Sequence, residues 1–315
     1  MREDTYGPED DRMMPAVVVL GQAGRDLVLQ IPALPDAGGS TPVHDRVEIV
    51  GGKGVNQAVG LRQLGASVRL IAVLGTDTIG DGLMREVSQD EINTDWVVRR
   101  GSSALAVDII DDGDHSRRLL EHVPTESQVT PGDVQAAVNS GVFDGADTIC
   151  LQLQQPIDGL LLAARAAHER DMRVVLDGAV EGRGRDELLS YASVVRADAS
   201  EAEILAAARI DSVDVARQAA QALLKTGPEI VVLTVKRRGE FVAWNGGEAF
   251  IPHRDEPVID PTGAGDAFVA GLVTGLRAGR APRDAAQLAS TAAAATIGHP
   301  GGRPDLGGLR TKDRA

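Results

Sequence analysis

The chain has 315 residues, 43% apolar but only 3% aromatic, and its 32 basic and 46 acidic side chains give a net charge of −14. That length makes one large α/β unit or two domains at about 100 to 200 residues each, and 25% charged residues is the globular average, which excludes extended disorder. An acidic surface repels phosphate backbones and anionic lipid, so neither nucleic acid nor a membrane is expected as a partner.

No apolar run approaches the ~20 residues of a membrane-spanning helix. Residues 1–12 carry five acids and no apolar stretch, unlike a secretory signal, so a cytoplasmic protein is expected. A single domain is read over 13–305, with flexible tails at 1–12 and 306–315. In chain order, apolar runs at Ala16–Leu20, Val68–Leu74, 148–153, Arg173–Asp177, 193–196 and 229–235 predict strands. Runs apolar on both sides suit a parallel sheet covered on both faces. Amphipathic stretches at 54–64, 79–88, 131–140, 157–170, 200–208, 213–226, 265–278 and 282–297 predict helices. The alternation predicts an α/β fold, a three-layer α/β/α sandwich with a mostly parallel central sheet. Segments 27–50 and 96–122 break the rhythm, with strand-like runs at 27–31, 47–50, 104–110 and 117–121 and no helix between. They predict a small second sheet placed over the first as a lid. The lone Cys150 lies in an apolar run and reads as a buried, unreactive thiol.

Four stretches carry chemistry. In Asp260-Pro261-Thr262-Gly263-Ala264-Gly265-Asp266-Ala267-Phe268, a turn opens an amphipathic helix. Small residues at a helix start let unpaired N–H groups approach a ligand, and the dipole favours an anion there. A carboxylate beside a bound phosphate is repelled unless it takes a proton from an attacking hydroxyl; the plain alternative is an acid complementing the dipole. Gly51-Gly52-Lys53-Gly54-Val55-Asn56-Gln57-Ala58 is a second turn opening a helix, without the Gly-Lys-[Ser/Thr] ending of a phosphate-binding P-loop. Gly52 permits close approach, and Lys53 and Asn56 could bind hydroxyls. Asp26 follows the first strand, where an acid facing the crevice of an open sheet can grip sugar hydroxyls. Asp198-Ala199-Ser200-Glu201 reads as a helix cap, or as a place where Glu201 orders hydrated Mg²⁺.

In this order and spacing, over nearly the whole chain, these motifs resemble the ribokinase-like (PfkB) carbohydrate kinase family. Leu64-Gly65-Ala66 and Leu74-Gly75-Thr76-Asp77 with Gly80 also match. The resemblance implies phosphoryl transfer from ATP to a sugar hydroxymethyl group, ribose or another pentose or hexose. It implies Asp266 as general base and the backbone of Gly263, Ala264 and Gly265 as anion hole. Asp26, Gly52, Lys53, Asn56 and Gln154 would hold the sugar, with Gln154 replacing an acid and Gly24 replacing an Asn of the family pattern. Asp198, in place of the usual Asn, would join Thr234, Lys236, Gly239 and Ser290 at the nucleotide, within 234–239 and 289–301. Lys236 replaces a usual Gly. Glu201 would serve Mg²⁺ through water, and Asp260 and Thr262 a monovalent cation, usually K⁺. A homodimer clasped through the lid is implied.

Two alternatives stay open. A nucleoside kinase of the same family would need an apolar or aromatic pocket for a base, with Trp96 the main candidate. A catalytically silent sugar-binding regulator is the other. A phosphosugar kinase fits less well because the substrate half shows no basic cluster beyond Lys53. A nicotinamide dehydrogenase lacks its Gly-x-Gly-x-x-Gly after the first strand.

Overall fold

The computed structural model describes residues 15–309, apart from 115, 237, 255–257 and 299–300. The expected tail at 1–12 and the end of the other, 310–315, lie outside the described residues. The strands are β1 (Ala16–Leu20), β2 (Gly24–Ile31), β3 (Asp45–Gly51), β4 (Val68–Leu74), β5 (Val97–Arg99), β6 (Ala104–Asp111), β7 (Ser116–His122), β8 (Ala146–Gln152), β9 (Arg173–Asp177), β10 (Val194–Ala197), β11 (Ile230–Val235), β12 (Gly239–Trp244) and β13 (Gly247–Pro252). The helices are α1 (Lys53–Gln63), α2 (Thr78–Gln89), α3 (Pro131–Asn139), α4 (Ile157–His168), α5 (Arg185–Tyr191), α6 (Ala199–Ala206), α7 (Val213–Leu224), α8 (Ala264–Arg277) and α9 (Pro282–Thr296).

The large sheet runs β13-β12-β11-β10-β9-β8-β1-β4-β5, parallel from β11 to β5. Period-two alternation sends Val17 and Val19 of β1 into one core layer and Val18 and Leu20 into the other. The first layer is closed by α1, α2, α8 and α9, the second by α3, α4, α5, α6 and α7. This is the expected three-layer sandwich. Its poverty in aromatic residues is met by close approach. A β-carbon on Gly271 or Gly275 of α8 would lie 2.7 Å and 2.8 Å from the Cα atoms of Ala289 and Ala285 on α9. Cys150 is buried, and burial pushes its thiol up to about 12.

The second sheet has the order β3-β2-β6-β7. One part of segment 96–122 does not belong to it. β5 pairs with β4 at the edge of the large sheet, because α2 returns the chain to that free edge and Val97 is buried there. The antiparallel hairpin β12–β13 at the other edge adds to the predicted strands, and Asn245-Gly246, with Gly246 at φ 103°, is the turn signature that makes it. Leu306, read as the start of a tail, is fully buried against the first core layer, and the Gln63 side chain binds Pro304 O and Leu306 N.

Candidate active site

A cavity of about 740 Å³ lies between the carboxyl ends of the central strands and the inner face of the small sheet. Its floor is built by β9, β10, α1 and the start of α8; its roof by Asp26, Ala106, Asp108, Arg117 and Leu119. Among the described residues, no helix is long and apolar enough to cross a membrane.

At the start of α8, Gly263 stands in the left-handed region at φ 72°, and a β-carbon there would lie 1.8 Å from Gly302 O. Only glycine satisfies both conditions. The turn therefore delivers the first N–H groups of α8 to the cavity, where Gly263, Ala264, Gly265 and Asp266 all line the wall. Asp266 is 5% exposed. Asn56 Nδ2 donates to its Oδ2 at 3.3 Å, and Gln57 Nε2 to its Oδ1 at 3.2 Å. The same Gln57 nitrogen donates to Asp177 Oδ2 at 2.9 Å, and Arg196 Nη1 donates to Asp177 Oδ1 at 3.1 Å. Burial, then the charge of Asp177, pushes the Asp266 carboxyl up to about 7 against Lys53 and the two amides. A carboxyl near neutrality at a helix N-terminus is matched to accepting a proton at physiological pH.

Lys53 and Glu201, given to sugar and to metal by the sequence, meet directly: Nζ donates to Oε1 at 2.8 Å. Burial opposes the Lys53 charge, but Asp177, Glu201 and Asp266 outweigh it and hold the ammonium above its ordinary range. The other Glu201 oxygen accepts from Asp198 N at 2.8 Å while Asp198 accepts from Glu201 N, a reciprocal cap on α6. Burial works against the Asp198 carboxylate, yet these donors and Ser200 hold its pKa below the usual value. Both acids line the cavity, so cap and site coincide.

Asp26 faces the cavity from β2, and burial raises its carboxyl to about 6 despite a hydrogen bond from the Gly52 backbone. Gly52, Asn56 and Gln154 line the same space. Of the nucleotide set, Asp198 and Thr234 line the cavity, Thr234 Oγ1 donating to Glu240 at 2.9 Å. Lys236 is exposed at the β11–β12 turn, Gly239 is buried under Ile251 O, and Ser290 is half-buried on α9; these three are not in the lining. Residues 237 and 299–300, inside the segments expected at the nucleotide, lie outside the described residues. Trp96 is not in the lining either: its Nε1 donates to Ser140 Oγ and Arg69 stacks 5.6 Å from its ring.

The polar network around the cavity includes residues with no role assigned from sequence, among them Asp108, Arg117, Asp177 and Arg196 in the lining and Gln57, fully buried outside it. Gln57 sat inside a quoted motif, and Arg196 was the one charge in an apolar strand, which is a signal because charges are rarely buried unpaired. Arg117 Nε lies 2.5 Å from Asp108 Oδ2 and 3.9 Å from Asp260 Oδ1, and Thr262 Oγ1 lies 3.1 Å from Asp108 Oδ2. Asp260 is fully buried; its Oδ1 accepts from Thr262 N and Oγ1, its Oδ2 from Gly301 N. Both Asp260 oxygens are thus engaged, and the Arg117 guanidinium already supplies positive charge beside them. Among the described residues no cluster of three or more His, Cys, Asp or Glu could hold a metal by itself. Glu201, the acid assigned to Mg²⁺ from sequence, lines the cavity with its Oε1 held by Lys53 and its Oε2 by Asp198 N.

Residues 14–306 match the model of the family described as pfkB family carbohydrate kinase. The chain belongs to the pfkB family of carbohydrate kinases. It is 29% identical to the ribokinase of Haemophilus influenzae over 300 residues, covering 93% of this chain and 96% of that one. With the deoxyribokinase of Salmonella typhi it shares 26% identity, over 80% and 83%. The Arabidopsis thaliana ribokinase complexed with ribose and ATP superposes at a TM-score of 0.77 with 22% identity, covering 95% and 98%. As a pfkB-family member this chain is an ATP-dependent sugar kinase with the ribokinase-like fold.

Proposed function

We propose that the protein transfers the terminal phosphoryl group of ATP to the hydroxymethyl group of a free sugar, ribose or another pentose first, with Asp266 as the base. The observation that carries this is the Asp266 carboxyl, buried, pushed up to about 7 and set in the first turn of α8 behind Gly263, Ala264 and Gly265. Asp266 takes the proton of the acceptor hydroxyl as that oxygen bonds to phosphorus. The N–H groups of Gly263, Ala264 and Gly265 receive charge on the phosphoryl oxygens. Mg²⁺, when bound, neutralises phosphate charge. Asp26, Gly52, Lys53, Asn56 and Gln154 hold the sugar, Asp26 and Asn56 from opposite walls. Asp198 and Thr234 serve the nucleotide. Asp260 and Thr262 would hold K⁺, with Arg117 sharing its electrostatic task.

A free sugar is favoured over a nucleoside because no Phe, Tyr or Trp lines the cavity among the described residues, and Trp96 is engaged elsewhere. The homodimer is also proposed. Alternation along β2 and β6 puts Leu27, Leu29, Leu105, Val107 and Ile109, all half-buried, on the face opposite Asp26 and Asp108, and Leu120 of β7 joins them at 57% exposure. A second copy stacking its small sheet there would cover them. The test of function is ADP release from Mg·ATP across pentoses, hexoses and nucleosides, with and without K⁺. Turnover with one free sugar supports the reading, and turnover with nucleosides alone overturns the acceptor class. A folded protein that binds ATP and turns over nothing would overturn the transfer reaction.

A further inference from the structure

We propose that Arg196 contacts the transferring phosphoryl group directly, as a fixed cation built into the anion hole. The inference rests on the kinase reading above. β10 lies between β9 and β11 in the middle of the large sheet, and Arg196 is the charged residue in its apolar sequence Val-Val-Arg-Ala. Its side chain is 92% buried, at 8% relative exposure. Burying an ion costs several kcal/mol unless partners replace its water. Asp177, its register partner on β9, takes one N–H, and the Phe268 ring lies 5.9 Å away. These partners do not exhaust a guanidinium with five donors. Nε is buried with no partner at all. A guanidinium held this dry on one paired donor is costly for stability alone, and since Arg196 lines the cavity while its Nε is enclosed, an incoming acceptor meets it at the guanidinium end.

Where that acceptor arrives is set by Gly265. A β-carbon there would lie 2.7 Å from Arg196 Nη1, 3.0 Å from Nη2 and 3.1 Å from Cζ. The guanidinium therefore rests against the backbone of the anion hole, and both line the cavity beside Asp266 and Asp198. The other cationic side chains of the lining are committed: Lys53 to Glu201, Arg117 to Asp108 and Arg25 to Glu48. The acids that face Arg196 (Asp177, Glu240 and Glu201) keep it charged, but an ATP tetra-anion cannot enter so acidic a floor without cations placed to meet it.

During transfer the acceptor O–H proton passes to Asp266, the acceptor oxygen bonds to phosphorus, and the bond from phosphorus to the bridging oxygen breaks. The electron pair leaves on ADP. Arg196 donates to a non-bridging oxygen of the moving group, whose charge it stabilises most when the group is planar between donor and acceptor. A guanidinium matches that geometry better than an ammonium.

The experiment compares wild type, Arg196→Lys and the double variant Asp177→Asn/Arg196→Gln, which replaces the buried ion pair by two neutral amides and so leaves no unpaired buried charge. Steady-state rates are measured with the panel sugar that turns over fastest, thermal melting checks folding, and calorimetry gives affinity for Mg·ADP with and without aluminium fluoride, a mimic of the planar phosphoryl. The expected result is a kcat about 10²-fold lower or more in both variants, Mg·ADP affinity within about 3-fold, and loss of the added affinity from aluminium fluoride. A kcat within about 5-fold of wild type in a folded variant would overturn the proposal, as would retained aluminium fluoride affinity. Failure of the kinase reading is separate: wild type itself would then turn over no sugar of the panel, whether or not it binds Mg·ADP.

Discussion

Gln57 Nε2 lies 3.2 Å from Asp266 Oδ1, and the same nitrogen reaches Asp177 Oδ2 at 2.9 Å. One amide therefore couples Asp266 to a second buried carboxylate, which pairs with Arg196 in turn. Burial first, and then the like charge of Asp177, raises the Asp266 carboxyl, while Lys53 and the Gln57 and Asn56 amides restrain it, and the balance falls near neutrality.

Replacing Asp266 by Asn should lower kcat by about 10²-fold or more, with little change in either KM, because the amide keeps the shape and loses the basicity. Wild-type kcat should fall as pH drops through about 7, since only the carboxylate accepts the proton. Stability should run the other way. The folded value is raised above that of the unfolded chain, so the stability Asp266 contributes is fully present below about pH 4 and is lost as pH rises through about 7. Asp266→Asn should thus gain more in melting temperature over wild type at pH 8 than at pH 5. Unchanged turnover would remove Asp266 from the base role.

Asp177→Asn keeps one oxygen, for Arg196, gives up the acceptor that Gln57 Nε2 uses, and removes the charge facing Asp266. The acidic limb of the kcat profile should move to lower pH, by about one unit for each 1.4 kcal/mol of repulsion relieved. A full pH–rate profile of wild type and variant decides it; a limb that stays put, or moves up, would mean that Asp177 does not set the basicity of Asp266.

The sequence made much of this fold legible because its signals are local. The bounds of β1, β4 and β9 follow from apolar runs that change at a turn, and the start of α8 from a glycine turn whose neighbours admit no side chain. The hairpin β12–β13 has an equally local signal in Asn245-Gly246. The polar network was not legible in the same way. Gln57 meets Asp177 across 120 residues and Asp266 across 209, and Thr262 meets Asp108 across 154. Such pairs are set by how two sheets close on one cavity, and no spacing along the chain encodes them. Lys53 and Glu201 show the consequence: each motif offered one partner for a ligand, and folding made them partners of each other.

Arg117 bears on the monovalent cation. It lies 3.9 Å from Asp260 and 2.5 Å from Asp108, and Thr262 ties Asp108 to the turn before the anion hole. A guanidinium there reduces the positive charge that K⁺ must supply to that turn. Wild type should therefore show only weak stimulation when KCl replaces an equal concentration of an organic chloride salt, and Arg117→Met should show a larger one. Thermal melting controls for the loss of the Asp108 pair. Equal stimulation in both proteins would separate Arg117 from any cation effect.

Gly263→Ala tests the anion hole by its backbone rather than by a charge. A non-glycine residue in the left-handed region costs about 1 to 2 kcal/mol, and here its β-carbon would also lie 1.8 Å from Gly302 O, a contact that only a shift of the turn can relieve. That shift moves the first N–H groups of α8 away from the phosphoryl position while leaving Asp266 chemically unchanged. The expected outcome is a fall in kcat of about 10²-fold, the loss typical of one misplaced oxyanion donor. The pH limb near 7 should persist in the residual activity. Denaturant unfolding should show a loss of at least the left-handed penalty. Wild-type kcat in a destabilised variant would mean that the helix start holds no phosphoryl group, and a vanished pH limb would mean that the turn acts through Asp266 instead.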